Sequence, residues 1–204
     1  MLIIAISVVS IAFAFGLYFL NQPQFGKAPS GERLERIKKS PRYKDGKFQN
    51  AHFTPTLTEG YSMLGVLYRQ LFEKAPNKTP SRPIPSVKTD LKHLNPSDAI
   101  LVWFGHSSYF IQAEGKTFLI DPVFSGNASP IPNSLKAFKG SNNYQVSDLP
   151  AIDYLLISHD HYDHLDYNTI IELKDKVKNV ICGLGVGSHF EYWGYDSSRI
   201  IEKD

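Results

Sequence analysis

The sequence holds a single cysteine, Cys182, among its 204 residues, which excludes an internal disulfide framework and a zinc ribbon built on paired cysteines. A bound metal would therefore have to use histidine and carboxylate ligands. A strong charge of one sign is also missing: the formal net charge is +2, which argues against nucleic acid as a partner. Hydrophobic residues at 42% and aromatic residues at 13% exclude a disordered chain and favour one globular domain with an appendage.

No acidic or basic residue occurs before Lys27, and residues 1–20 are apolar apart from two serines and one glycine. A run of this length predicts a helix that crosses a bilayer. A cleaved signal sequence is the alternative, although it normally begins with a positive region and ends at a small-residue cleavage site. We therefore expect residues 1–22 to form an N-terminal membrane anchor or a signal sequence.

Residues 27–47 carry eight basic and three acidic side chains. Under the positive-inside rule this flank places the following domain in the cytoplasm rather than the periplasm, as part of a single-pass membrane protein. A solvated linker, or a contact with anionic lipid head groups, fits the same run equally well.

Residues 61–75 place Leu64, Leu67, Tyr68 and Leu71 at the spacing of an amphipathic helix. We expect this helix to pack against the main domain, with a lipid-facing helix as the alternative. Nine of the thirteen prolines precede residue 97, which predicts an extended connector before the folded unit. Residues 23–97 are thus predicted to be a basic and proline-rich extension with one amphipathic helix.

Residues 98–204 alternate between strand-like and helix-like segments, which predicts an α/β fold with a covered sheet. The expected strands are 100–104, 109–113, 117–120, 153–157, 180–182 and 199–201, and the expected helices are 168–177 and 188–193.

Directly after the strand at 153–157 stands a histidine- and aspartate-rich segment with the pattern H-x-H-x-D-H. In an extended segment, residues two apart point to the same side, so His159 and His161 can share one ion. Asp163 and His164 follow where the chain turns toward the next helix, so they can serve a second ion. Such ligands suit zinc, with iron or manganese as alternatives. A surface turn without an ion is the competing interpretation.

Four segments, in the same order, resemble the metallo-β-lactamase superfamily, in the branch that contains the N-acyl-phosphatidylethanolamine-hydrolysing phospholipase D and the ascorbate-6-phosphate lactonases. The resemblance implies an αββα sandwich with metal ions at one edge, of which residues 98–204 form an N-terminal half that is incomplete at its C-terminal end. The four segments are 104–111 (FGHSSYFI), 118–124 (FLIDPVF), 159–164 (HDHYDH) and 183–194 (GLGVGSHFEYWG).

The resemblance also implies roles for single residues. His159 and His161 would bind the first of two zinc ions, and Asp163 and His164 the second. Asp163 would also steady the attacking hydroxide. His106 would face the metals as a second catalytic residue, with a capped turn histidine as the alternative.

Three further features lie near this predicted site. Asp121 would accept a hydrogen bond from a ligating imidazole, or would start a turn of the Asx type. His189 is expected on a short helix beside the site rather than on a metal. The glycine-rich turn at 183–187 lacks a Walker lysine, so it predicts tight packing and not a phosphate cradle.

The sequence therefore predicts a metal-dependent hydrolase in which a metal-bound hydroxide attacks a phosphodiester or ester of a small molecule or lipid, such as an N-acyl phospholipid. The family completes its site with a third histidine, a bridging aspartate and a last histidine, all from a second half of the fold. In this sequence the segment that resembles the family extends as far as Asp204, before those ligands would occur. The alternative is a truncated, inactive remnant that acts as a metal-binding or interaction module, with a second chain covering the exposed half-sandwich.

Overall fold

A computed structural model describes residues 1–74 and 76–204, and for Leu2, Ile3 and Ala5 it describes the backbone alone. The helices are α1 (Leu2–Leu20), α2 (Gly31–Lys38), α3 (Met63–Phe72), α4 (Tyr167–Leu173) and α5 (Gly187–Tyr192). The strands are β1 (Tyr43–Lys44), β2 (Lys47–Phe48), β3 (Ile100–Gly105), β4 (Ser108–Ala113), β5 (Lys116–Ile120), β6 (Ile152–Ile157), β7 (Val177–Gly183) and β8 (Ile200–Lys203).

Strands β3 to β8 form one six-stranded sheet in sequential order, and β1 and β2 form a separate hairpin. The first three strands of the sheet are an antiparallel meander, whereas β5 to β8 run parallel. Parallel neighbours need crossover connections, which α4 supplies between β6 and β7 and α5 between β7 and β8. The predicted α/β fold is confirmed, and its sheet is mixed.

The core lies between this sheet and the two crossover helices. In β4 every second residue is buried, because successive side chains of a strand point to opposite faces. Phe110 of β4 and Leu155 of β6 are fully buried, as are Ile170 of α4 and Phe190 of α5. Burying one such side chain contributes about 1.5–3 kcal/mol, so these contacts hold the helices on the sheet and fix the strand ends beside the motif.

The structure confirms the six predicted strands and both predicted helices of residues 98–204, and the largest difference in boundaries lies between α4 and β7. The helix expected over 168–177 ends at Leu173, and β7 begins at Val177. Val177 pairs with Ile152 at the start of β6 and is 3% exposed, so strand pairing and burial outweigh local helix preference there.

The predicted amphipathic helix is present as α3, and the hydroxyl of Ser62 caps its first turn by accepting from Gly65 N–H. Its apolar stripe is exposed, with Leu64 at 79% and Leu71 at 66%. The expectation that this helix packs on the main domain is therefore wrong. Ala75, the last residue of the predicted segment, lies outside the described residues.

The prediction of a membrane anchor at residues 1–22 is also wrong. Within the described part of the chain, no helix has both the length and the apolar character that a bilayer crossing requires. The prediction rested on the length and apolar composition of residues 1–20 and on their lack of the flanking features of a signal sequence. The single-pass membrane localisation and the cytoplasmic placement of the domain, which followed from it, fall with it.

Part of the basic segment after α1 packs against the folded unit and is not a solvated linker. Residues 23–42, here called the N-terminal strap, include α2 and lie against α5 and β8. Ile37 of the strap is 2% exposed, and Arg33 and Arg36 pair with the carboxylate of Glu202. Local charge counting could not anticipate this, because Glu202 lies at the other end of the chain.

Candidate metal centre

The site forms where parallel strands β5 and β6 end side by side. Ile120 pairs with Leu156, so the residues that follow these strands, Asp121 and Ser158, come together. The backbone N–H of Asp121 donates to Leu156 O over 3.0 Å, which extends the pairing by one residue. The sheet order thus brings Asp121 to the start of the histidine-rich motif.

Asp121 orients an imidazole of that motif. Its side chain is 2% exposed, and its carboxylate accepts from the backbone N–H of Ser158 (2.8 Å) and from the Ser158 hydroxyl (2.6 Å). His164 Nδ1 lies 2.8 Å from Oδ2 of Asp121. Because a carboxylate only accepts, Nδ1 carries the proton and Nε2 presents its lone pair outward. This carboxylate–histidine contact is the arrangement that orients metal-ligating histidines in proteins.

Three ligand atoms meet in front of His164. His106 Nε2 lies 3.1 Å from Asp163 Oδ2 and 3.3 Å from His164 Nε2, and the remaining separation, between His164 Nε2 and Asp163 Oδ2, is 3.8 Å. Of the residues that the structure describes, these three form the group whose ligand atoms all lie within 4.8 Å of one another. We call them the donor triangle.

The donor triangle matches the spacing that one divalent ion requires. Zinc ligands at about 2.0–2.2 Å in tetrahedral geometry are separated from one another by about 3.3–3.6 Å. The three separations in the donor triangle are 3.1, 3.3 and 3.8 Å, each within about 0.2 Å of that range. Two imidazoles and one carboxylate are also a ligand set that zinc accepts, and iron and manganese can bind to the same set. The residues therefore fit a divalent cation.

His106 reaches the donor triangle from the turn between β3 and β4. Its φ is +49°, a left-handed conformation that costs free energy for a residue other than glycine. The indole N–H of Trp103 donates to His106 O over 2.9 Å and holds this turn. The His106 side chain is 62% exposed, whereas that of His164 is 14% exposed. The triangle is thus open to solvent on the His106 side.

His159 and His161, predicted to bind the first ion, lie next to the triangle but outside it. The ring of His159 packs 3.9 Å from that of His164 and 4.6 Å from that of His161, measured between centroids. Burial, together with the neighbouring imidazoles of His164 and His161, holds the pKa of His159 below its usual value. A neutral imidazole is the form that binds a metal. Ligation by His159 and His161 remains a prediction.

His189 lies behind the motif on α5 and contacts Asp160, the residue between His159 and His161. Its Nε2 is 3.7 Å from Oδ2 of Asp160, an electrostatic contact longer than a hydrogen bond. This contact with the His189 imidazole lowers the pKa of Asp160 below its usual value. The expectation that His189 lies beside the site agrees with this position.

Sequence reasoning missed two supporting features of the site. The hydroxyls of Ser107 and Ser158 lie 2.9 and 3.3 Å from His164 Nδ1. Asp166, fully buried, caps α4 through Asn168 N–H and accepts from Ser125 N–H at 2.9 Å, tying the loop after β5 to the helix after the motif. An aspartate just before an apolar helix is a recognised capping signal and could have identified Asp166.

Comparison with known proteins places these observations in a family. A model of the β-lactamase superfamily domain matches residues 116–202. An uncharacterized protein of Mycobacterium tuberculosis is 34% identical over 166 residues, covering 81% of this chain and 45% of that protein. N-acyl-phosphatidylethanolamine-hydrolyzing phospholipase D 1 of Caenorhabditis elegans is 33% identical over 93 residues, covering 43% of this chain and 24% of that protein.

A metal-dependent hydrolase of Chelativorans sp., of the group UPF0173, is 30% identical over 100 residues, covering 49% of this chain and 38% of that protein. The chain spans less than half the length of each of these three relatives. The matched segment runs from β5 through the motif to β8, and so includes Asp121, Asp163 and His164. Taken with the mixed sheet and the donor triangle at its edge, these similarities show that the chain belongs to the metallo-β-lactamase superfamily.

Proposed function

We propose that this chain supplies metal-binding residues of a metal-dependent hydrolase that cleaves a phosphodiester or ester, with an N-acyl phospholipid as the candidate substrate. The donor triangle of His106, Asp163 and His164 is the observation that carries the proposal. The similarity to a C. elegans phospholipase D that hydrolyses N-acyl-phosphatidylethanolamine supports the substrate class.

In this proposal His106, Asp163 and His164 hold one divalent ion, and His159 and His161 hold a second. Zinc suits these donors, with iron or manganese as alternatives. A bound divalent ion lowers the pKa of water toward neutrality and polarises the oxygen of the substrate.

The residues of the chain prepare the site for that ion. Asp121 keeps the proton of His164 on Nδ1, so that Nε2 is available as a ligand. His106 Nε2 lies 3.1 Å from the Asp163 carboxylate, close enough for both to bind the same ion. Histidine and aspartate bind metals in their deprotonated forms, so we expect metal binding to weaken as the pH falls. The exposed side at His106 gives a substrate access to Asp163.

The test uses the whole chain, first stripped of metal by a chelator and then titrated with zinc. Bis(4-nitrophenyl) phosphate reports phosphodiester cleavage, and 4-nitrophenyl acetate reports ester cleavage. We expect hydrolysis that is lost in the chelator, restored by zinc and abolished by His164→Ala. Zinc binding too weak to measure would overturn the proposal. Hydrolysis that is unchanged by the chelator and by His164→Ala would overturn it as well.

Substrate class needs its own comparison. Mixed micelles of N-acyl-phosphatidylethanolamine and a soluble lactone are offered to the same zinc-loaded protein at equal concentrations. Release of N-acylethanolamine and phosphatidic acid in preference to opening of the lactone supports the lipid substrate. Cleavage of the lactone with the lipid left intact counts against the lipid and leaves the hydrolase proposal standing.

A further inference from the structure

The N-terminal strap is bound to α5 and to the glycine-rich turn before it by specific contacts. The indole N–H of Trp193 donates to Pro23 O, and the hydroxyl of Ser188 donates to Lys27 O, each over 2.8 Å. Buried Ile37 packs so closely on Gly185 that a Cβ there would come within 2.9 Å of Ile37 Cδ1. Hydrogen bonds and close packing together fix the position of the strap.

The strap also supplies the positive charges that pair with the buried carboxylate of Glu202. The side chain of Glu202 is 2% exposed, and its Oε1 accepts from Gly185 N–H at 2.9 Å and Gly187 N–H at 3.0 Å. Arg33 pairs with the same carboxylate at 3.0 Å and bidentately with Glu191 at 2.7 Å. Detaching the strap would remove both guanidinium groups, those of Arg33 and Arg36, that pair with the carboxylate of Glu202.

The strap also reaches the histidine that faces the metal-binding motif. The backbone N–H of Lys27 donates to Nδ1 of His189 over 3.0 Å. Nδ1 is therefore an acceptor, and the proton of the neutral ring is on Nε2, the atom 3.7 Å from Asp160 Oδ2. The His189 side chain is only 15% exposed, so its orientation is set by these neighbours.

The lack of a side chain at Gly26 allows the backbone of the strap to lie close to the His189 ring. The φ of Gly26 is +67°, and a Cβ at this position would overlap His189 Nδ1. Gly31, in the same strap, has a φ of +56°, but a Cβ added there would have no heavy atom within 4 Å. Both glycines have a positive φ, and they differ in whether an added side chain would strike His189.

We propose that the N-terminal strap is a positioning element of the metal centre. Through Lys27 it fixes the proton of His189 on Nε2, and His189 then holds Asp160 and the flanking side chains of His159 and His161 in the arrangement that binds metal. The inference rests on the proposed function, because it takes His159 and His161 as ligands. His189 acts through Asp160 and is a positioning residue, not a ligand.

The matched pair Gly26→Ala and Gly31→Ala tests the strap. Zinc affinity of the whole chain is measured by calorimetry, with thermal unfolding to check that each variant folds. Both substitutions strain the backbone, but we expect only Gly26→Ala to weaken zinc binding, by about tenfold or more, the loss typical of an outer contact to a metal ligand. Equal zinc affinities of the two folded variants would overturn the proposal.

His189 and Asp160 are tested by a double-mutant cycle. His189→Phe keeps an aromatic ring and removes both polar atoms, and Asp160→Asn removes the facing charge. We expect each to weaken zinc binding, with the double variant no weaker than His189→Phe alone, because the two side chains act in series. Additive losses, or no loss in either single variant, would contradict the coupling.

Nitrogen-15 NMR of the His189 ring gives a readout that fold stability alone does not move. We expect the proton on Nε2 in the wild-type chain and in Gly31→Ala, and a mixture of tautomers in Gly26→Ala. A proton on Nδ1 in the wild-type chain overturns the inference whatever the zinc data. If the wild-type chain binds no zinc, the proposed function fails as well; if it binds zinc and Gly26→Ala matches Gly31→Ala, this inference alone fails.

Discussion

The carboxylate of Asp121 and the Nδ1 of His164 lie 2.8 Å apart, although 43 residues separate them along the chain. Strand pairing between β5 and β6 produces this contact, and the left-handed conformation of Asp121, with φ at +41°, aims the carboxylate at the ring. Aspartate is one of the few residues that tolerate that conformation. A replacement for Asp121 must therefore both adopt a left-handed backbone and accept a hydrogen bond from the His164 ring.

We expect Asp121→Asn to weaken zinc binding about 10- to 100-fold, because the amide no longer holds the proton of His164 on Nδ1 as a carboxylate does. Asparagine keeps the size of the side chain and accepts the same left-handed backbone, so the fold should persist. Calorimetric titration with zinc measures the effect, and Asp98→Asn at an exposed position serves as the control. Unchanged affinity would show that Asp121 has only a structural role.

His106→Ala should lower zinc affinity and leave the fold intact, since the substitution removes one corner of the donor triangle at an exposed turn. Cobalt in place of zinc gives an absorption spectrum that changes when a nitrogen ligand is lost. His93→Ala is the control, because His93 is also exposed and contacts Asp90 instead. An unaltered cobalt spectrum would identify His106 as a turn residue.

Acid should loosen the N-terminal strap. The Arg33 guanidinium, hydrogen-bonded to Glu191, holds the pKa of Glu191 below its usual value. A depressed carboxylate pKa contributes stability above the unfolded-state value of about 4.3 and loses that contribution as the pH falls through the folded value. Urea unfolding of the wild-type chain should therefore lose stability below about pH 4.3, and Glu191→Gln should lose less across the same range. If the wild-type chain and Glu191→Gln lost the same stability as the pH falls, the Arg33–Glu191 ion pair would not be the cause of the acid sensitivity.

Leu155→Ala should destabilise the protein by about 2–5 kcal/mol, since Leu155 is fully buried at the centre of β6 and the substitution opens a cavity. Leu101→Ala, at a β3 position that is 61% exposed, should change stability by less than about 0.5 kcal/mol. Urea titration of both variants measures the contrast. A loss at Leu155 no larger than that at Leu101 would mean that the core is not packed as described.

The sequence predicted the sheet of residues 98–204 well, because alternating burial in strands such as β4 and apolar runs such as β6 leave a clear periodic signal. The adjacency of His159 and His161 was likewise readable from a spacing of two. The expectation that Asp121 accepts a hydrogen bond from an imidazole of the motif agrees with its contact with His164. The sequence did not show that His106 would meet the same ring, because sheet order and not spacing creates that contact.

The N-terminal region was predicted least well, for a related reason. Arg33 and Glu202 lie 169 residues apart, so a local count of charges interprets the strap as a basic linker. The apolar run at residues 1–20 gave a composition signal for an anchor that the described helices do not support. The tertiary partners of a segment, which decide whether its charges are paired, are invisible to any window along the chain.

The carboxylate of Glu202 has a consequence for the glycine-rich turn. Backbone N–H groups converging on one oxygen, as those of Gly185 and Gly187 do, form the kind of concavity in which many proteins capture the phosphate of a nucleotide. Here an anion tethered to the same chain already occupies it, at an effective concentration no freely diffusing competitor readily matches. The backbone donors of the glycine-rich turn are therefore satisfied by a residue of the same chain and are not available to an external anion.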